Sequence, residues 1–152
     1  MQTAKQISVS LENKPGRLAN VLTTLAREKV NITGLTVMDS HDHSVLRFVA
    51  DDPVKSIRVL KDLGLRHVET DVLLVELRHQ PGALAHVCSI LAAEHINIDY
   101  CYVSSGGRNG RVYGIFKVSN HDKAMRVLNG SPNERRERRP LRDQRVYKAP
   151  SR

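Results

Sequence analysis

Two short segments carry the residue types best suited to gripping a small charged molecule, and they match each other. Asn13-Lys14-Pro15-Gly16-Arg17-Leu18 recurs sixty-six residues on as His79-Gln80-Pro81-Gly82-Ala83-Leu84. In each, an extended apolar–polar alternation breaks at Pro-Gly and a helical periodicity begins. A helix start leaves backbone N–H groups without intrahelical acceptors, and together with the helix dipole these favour an anion. Glycine lacks a Cβ, so a ligand can come close to the backbone there. The chemistry that suits such a corner is recognition of the carboxylate of a small metabolite. At the same offset, Glu28-Lys29-Val30-Asn31-Ile32 returns as Glu94-His95-Ile96-Asn97-Ile98. Asn13 or His79 before the turn, and Asn31 or Asn97 beyond the helix, add side-chain donors and acceptors. The plainer reading is that Pro-Gly only makes the turn and Asn only closes the helix end. Recurrence of the whole set at one spacing favours a site.

One offset fits both segments, so the chain reads as two copies of one small domain. Ile7, Val9 and Leu11 alternate with Ser8, Ser10 and Glu12, as in a half-buried strand. Leu18, Leu22, Leu25 and Ala26 then share a helical face, flanked by Val21. Residues 32–38 and the run Val45, Leu46, Phe48, Val49 give two strands around the polar turn 39–43. Asp51-Asp52-Pro53 starts a second helix with Ile57, Leu60 and Leu63 inward, and Gly64 stops it. Residues 68–77 form a fourth strand that runs directly into the first strand of copy two, which holds Leu73, Val75 and Leu77. Copy two repeats the plan with a helix carrying Leu84, Cys88, Leu91 and Ala92. Its strands 98–104 and 112–118 flank Gly106-Gly107-Arg108-Asn109-Gly110, and a helix covers 122–128. The order is the split βαβ, ferredoxin-like pattern given twice. After Leu128 no apolar run matches Val68 and its neighbours, and only Val146-Tyr147 could add a short strand. The fourth strand of copy two is therefore missing or comes from elsewhere. The expected division is 1–69 and 70–130, followed by a basic tail, 131–152, with the composition of a disordered segment.

Composition narrows the classes. Aromatic residues make up only 4% and Trp is absent, so the cores are aliphatic. Units of about 65 residues bury only roughly 60% of their surface, so each gains from packing on the other or on a second chain, and a homodimer is expected. Between Asn129 and Arg152 eight Lys or Arg face three Asp or Glu, so five of the eight net positive charges lie there rather than in the domains. No apolar run approaches the ~20 residues of a membrane span, and the first residues carry no apolar leader pattern. A cytoplasmic location follows as the expectation. Cys88 and Cys101 form no C-x-x-C pair and correspond by offset to Leu22 and Leu35, which suggests small buried hydrophobes. His41-Asp42-His43 offers two imidazoles where a structural zinc needs four ligands, so no metal is expected. His86 and Cys88 are two apart on a helix and cannot face one another, and no other nucleophile has an oriented base. The expectation is a protein without catalytic residues and without a cofactor.

The segments 13–18 with 30–32, and 79–84 with 96–98, resemble ACT domains, the amino-acid-sensing modules of many biosynthetic enzymes, such as the regulatory domain of phosphoglycerate dehydrogenase. The resemblance covers about residues 6–128. It implies an α+β fold of two tandem ferredoxin-like βαββαβ domains with antiparallel sheets packed side by side, and small ligands at the interface between paired domains. The ligand-binding residues it implies are Asn13, Pro15, Gly16, Arg17, Leu18, Asn31 and Ile32. In copy two they are His79, Pro81, Gly82, Ala83, Leu84, Asn97 and Ile98. Asn13 and Asn31, with the N–H groups near Gly16 and Arg17, would hold the amino and carboxyl groups of a free amino acid. The implied role is a sensor that changes domain packing when ligand binds; the alternative is the regulatory subunit of a biosynthetic enzyme, as in acetolactate synthase. A rival from another class is nucleic-acid binding. Arg111-Val112-Tyr113-Gly114-Ile115-Phe116 partly echoes the aromatic strand of RNA-recognition motifs, and the Arg-rich tail could meet phosphates.

Overall fold

The computed structural model describes residues 1–38, 43–104 and 111–130. The turn residues 39–42 and 105–110 and the tail 131–152 lie outside it, and with them most of the His-Asp-His turn, the glycine turn and Val146-Tyr147. The elements run β1 (Gln2–Glu12), α1 (Arg17–Arg27), β2 (Ile32–Met38), β3 (His43–Ala50), α2 (Pro53–Asp62) and β4 (His67–Arg78). They continue with α3 (Ala83–Ala93), β5 (Ile98–Val103), β6 (Arg111–Val118) and α4 (His121–Gly130). The six strands form one antiparallel sheet in the order β2-β3-β1-β4-β6-β5.

The expected boundary at 69/70 falls inside β4, a single strand of 12 residues. β4 and β1 lie side by side at the centre of the sheet, with Gln2 opposite Leu74 and Val9 opposite His67. This register sets Lys5 opposite Asp71, which is also its counterpart at the repeat offset. A local twofold therefore passes between these two residues. They form an ion pair across it, Lys5 Nζ to Asp71 Oδ1 at 2.8 Å. The symmetry resolves the missing strand. The first half of β4 serves copy one as its fourth strand, and the first residues of β1, opposite Leu73 and Leu74, stand in the same place for copy two. Period-two reasoning begins β1 at Ile7 because Thr3 and Lys5 are exposed and polar where an apolar residue would have signalled a strand.

All four helices lie on one face. Ile7, Val9, Leu11, Leu46 and Phe48 pack with Val21, Leu25, Val59 and Leu60 to make one core. Leu73, Val75, Leu77, Phe116 and Val118 pack with Val87, Leu91 and Ala124 to make the other. The helical stripe is turned by about one position from the expected face. Val21 and Val87 are buried, whereas Leu18 and Leu22 are only half-buried and Ala26 and Ala92 face solvent. Cys88 is half-buried and Cys101 exposed, against the expectation of two buried thiols.

The helix-free face closes on itself. The edge strands β2 and β5 approach one another across it. Val49, Val72, Leu74 and Ile115 form its apolar half. Ile115 presses on β2 where a Cβ at Gly34 would sit 2.7 Å from its Cδ1. The polar half centres on Gln6, which is fully buried. Its Nε2 donates to Tyr100 OH at 2.8 Å and Ser8 Oγ at 3.2 Å, and Tyr102 OH donates to its Oε1 at 3.1 Å. The Arg47 guanidinium stacks 4.1 Å over the Tyr100 ring. Burial pushes the Tyr102 phenol far above its ordinary pKa, so it stays a neutral donor.

Helices α1 and α3 end in one motif. The N–H of Val30 reaches Leu25 O at 3.0 Å and that of Ile96 reaches Leu91 O at 2.9 Å, with Lys29 and His95 at positive φ between them. Helix α2 ends the same way with Gly64, the residue suited to that conformation. A side chain there costs about 1–2 kcal/mol, offset in part by the entropy lost in fixing glycine. Lys29→Gly and His95→Gly should each raise stability by about 0.5–1 kcal/mol in urea denaturation; a loss of stability in both would show that the long side chains hold these ends.

Candidate functional site

Both Pro-Gly corners have one backbone geometry. Gly16 and Gly82 are the N-cap residues of α1 and α3, with φ 85° and 87°. That left-handed conformation is what requires glycine at these two positions. In copy one Lys14 N–H reaches Glu12 O at 2.8 Å, Arg17 N–H reaches Lys14 O at 3.3 Å, and Asn20 N–H reaches Gly16 O at 2.9 Å. In copy two Gln80 N–H reaches Arg78 O at 2.8 Å, Ala83 N–H reaches Gln80 O at 3.3 Å, and His86 N–H reaches Gly82 O at 2.9 Å. Pro15 and Pro81 thus precede the caps and lie outside the first helical turn. Neither cap offers a side-chain acceptor to the N–H groups of that turn.

Identical backbones carry different side chains. In copy one the corner is spanned by its own ion pairs. Arg17 donates to Glu12 Oε2 at 2.8 Å, and Lys14 Nζ lies 3.3 Å from the same oxygen. Lys14 and then Arg17 hold the Glu12 carboxyl below its ordinary pKa. In copy two these positions are Arg78, Gln80 and Ala83. There an open cleft of about 420 Å³ lies between Leu77, Arg78, His79, Gln80, Pro81, Ala83, Leu84, Val103 and Val112. Leu84 and Val103 are large apolar residues left 38% and 48% exposed, which gives the cleft an apolar wall beside its polar corner.

The structure does not bring the asparagines to the corners. Asn31 and Asn97 follow the far ends of α1 and α3, about 16 Å from the glycines for 11 helical residues at ~1.5 Å each. Asn31 N–H donates to Asp51 Oδ1 at 2.9 Å and its carbonyl accepts from Asp51 N–H at 3.0 Å. Asn97 makes the same ring with Ser119, at 3.1 and 2.9 Å, and its side chain donates to Asp99 at 3.1 Å. These residues anchor the starts of β2 and β5, together with half-buried Ile32 and Ile98; they do not close the helices, a role taken by Lys29 and His95. Within one copy, Asn13 with Asn31, or His79 with Asn97, cannot hold the two ends of one small amino acid. His79, Pro81, Ala83 and Leu84, which the sequence resemblance implies, line the copy-two cleft, whereas Val103 and Val112, which also line it, carry no sequence signal for it.

The chain belongs to the ACT domain pair family. The family model matches residues 2–132. The fold is similar to that of protein BT0572 from Bacteroides thetaiotaomicron, at 38% identity over 84% of this chain and 88% of that one, with a TM-score of 0.77. The ligand-free regulatory subunit of aspartate kinase from Thermus thermophilus shares the fold at 16% identity, covering 86% and 97% of the two chains, TM-score 0.62. The corresponding subunit from Thermus flavus does so at 16% identity, covering 86% and 92%, TM-score 0.58. No curated protein matches the chain.

Within the ACT pair the RNA-motif echo has a structural role. Phe116 is buried in the copy-two core, and Tyr113 packs in the closed helix-free face, so neither aromatic is laid out on an open sheet for a base. The Arg-rich tail lies outside the described residues. Among the described residues no group of three or more His, Cys, Asp or Glu could hold a metal, and no helix is long and apolar enough to cross a membrane.

Three exposed carboxyls of the ACT pair have lowered pKa values: Glu12 beside Lys14 and Arg17, Asp52 accepting the N–H of Lys55, and Asp71 beside Lys5. A depressed carboxyl stabilises the fold above its unfolded pKa, and that contribution is lost as pH falls through the folded value. Unfolding free energy should hold level from neutrality to about pH 5 and fall below about pH 4, with a smaller fall in high salt. Urea titrations at pH 6 and pH 3 test this; equal stability at both would contradict it.

Proposed function

We propose that this ACT pair is a non-enzymatic, cytoplasmic regulatory protein that binds a free amino acid and transmits its presence through the packing of paired domains. The observation that carries the reading is the copy-two cleft. It combines a helix N-terminus whose glycine cap supplies no side-chain acceptor, Arg78 and His79 nearby, and an apolar wall. A carboxylate favours the first feature and a side chain of a few carbons the last. A volume of about 420 Å³ admits a molecule of that size and leaves room for water. The site is open on its outer side, so a second chain could complete it, in keeping with ligands held between paired ACT domains. A ligand that binds one packing better than another shifts the balance by its difference in affinity. The fold shared with aspartate kinase regulatory subunits supports a second reading in which the same site sits on a subunit of a biosynthetic enzyme; stable co-purification with a larger catalytic chain would favour it.

A thermal-shift screen against the twenty amino acids tests the reading. Ligand at 100 times its Kd stabilises by about 2.7 kcal/mol, which for a chain of this length is a rise of several degrees. Ala83→Glu places a carboxylate in the first turn of α3, where the dipole favours it. The variant should melt no lower than the parent and lose the response. No response of the parent to any amino acid, or a full response in Ala83→Glu, would overturn the proposal.

A further inference from the structure

We infer that only copy two binds ligand, that each chain takes up one amino acid with an aliphatic side chain, and that the copy-one corner is closed by an internal ion pair in the ligand's place. The inference rests on the binding role proposed above and adds stoichiometry and ligand class to it. The two corners match to within 0.1 Å in three equivalent backbone hydrogen bonds, so their difference lies in side chains. Arg17, the first residue of α1, reaches back across the loop to Glu12 at 2.8 Å, and Lys14 joins the same carboxylate. The equivalents of these three residues, Ala83, Arg78 and Gln80, all line the copy-two cleft. The path that Arg17 takes in copy one is therefore the space that stands open in copy two. Glu12 also supplies copy one with its own carboxylate, which repels a second one and engages the two cations that would have drawn it.

The apolar wall differs in the same sense at one position, since Leu77, Leu84 and Val103 have Leu11, Leu18 and Val37 as their equivalents. Val112, opposite Leu77 in the β4–β6 ladder, lines the cleft. The residue opposite Leu11 in the β1–β3 ladder is Ser44. Copy two thus presents Leu77, Leu84, Val103 and Val112 as an apolar wall, with Arg78 and His79 at the polar corner. A branched aliphatic side chain fills such a wall. An aspartate side chain would be drawn off it to Arg78, in competition with the ligand's own carboxylate, and a lysine side chain would lose its hydration there without a carboxylate partner.

Isothermal titration of the full chain with L-leucine, and separately with L-aspartate and L-lysine, tests this. The expected result is one L-leucine per chain, with the charged amino acids at least ten-fold weaker. Ala83→Arg together with Arg78→Glu, which copies the Arg17–Glu12 pair into the cleft, should weaken L-leucine at least 100-fold. Arg17→Ala should leave the affinity unchanged and, because Glu12 keeps its charge in copy one, the stoichiometry at one. Val112→Ser, which leaves the loop untouched, should weaken binding several-fold and guards against misfolding of the double variant. Two L-leucines per chain, one L-leucine lost in Arg17→Ala and kept in the double variant, or a preference for a charged amino acid would each overturn the inference while leaving amino-acid binding in place. Silence toward all twenty amino acids in the thermal screen would overturn both.

Discussion

The antiparallel pairing of β1 with β4 is the interaction on which the rest of the molecule depends. Each strand works for both repeats: one part of it carries the core of its own copy, and the other part completes the sheet of its neighbour. The ion pair between Lys5 and Asp71 marks the centre of this exchange. Its partners are exposed, so it fixes register by charge complementarity more than it adds stability. A shift by one residue would move Ile7, Val9 and Leu11, or Leu73, Val75 and Leu77, away from the helices. The apolar alternation on both strands and the opposite charges at the centre therefore specify the same register.

Duplication with a shared centre has let the two copies diverge where they need not match. On the helix-free face, Gln6 and Arg47 of copy one meet Tyr100 and Tyr102 of copy two, while Val49 of copy one packs with Val72, Leu74 and Ile115 of copy two and Ile115 presses on Gly34. One half of this interior is polar and satisfied, and the other is apolar. That complementarity closes the sheet one way only, because a half-satisfied network would cost more than an apolar core. The loops diverge in the same manner. Copy one spends its cations on its own carboxylate, and copy two leaves a cleft. Val103, which lines that cleft, follows Tyr102 directly along β5, the strand whose tyrosines hold the sheet edge. The cleft and the closure of the sheet share one element.

Much of this was legible in the sequence because it depends on local rules. Pro-Gly followed by a helical period marks a strand-to-helix corner, and one constant offset reveals the duplication. The four helices, the six strands and the family all follow from such signals. The sequence was silent where a residue's role depends on a distant partner. Gln2, Thr3 and Lys5 carry no apolar alternation, and nothing in their order shows that β4 has a vacant flank. The backbone rings of Asn31 with Asp51 and Asn97 with Ser119 gave no local signal, since the partners are some twenty residues away and only the fold joins them. Lys29 and His95 gave no sign of left-handed backbone, a conformation in which Gly or Asn is expected. The cleft required knowing that Ala83 is small where Arg17 is long, a comparison that acquires meaning only once both corners are seen to share one backbone.

Native-state hydrogen exchange through a urea series tests the central claim, that the shared strands make one cooperative body of the two copies. The amides of Ile7 and Val9 in β1, Leu73 and Val75 in β4, and Phe116 in β6 should converge on a single opening free energy with a single dependence on urea. Separate opening of the copies, with the β6 amides exposed at urea concentrations that leave those of Ile7 and Val9 protected, would contradict it.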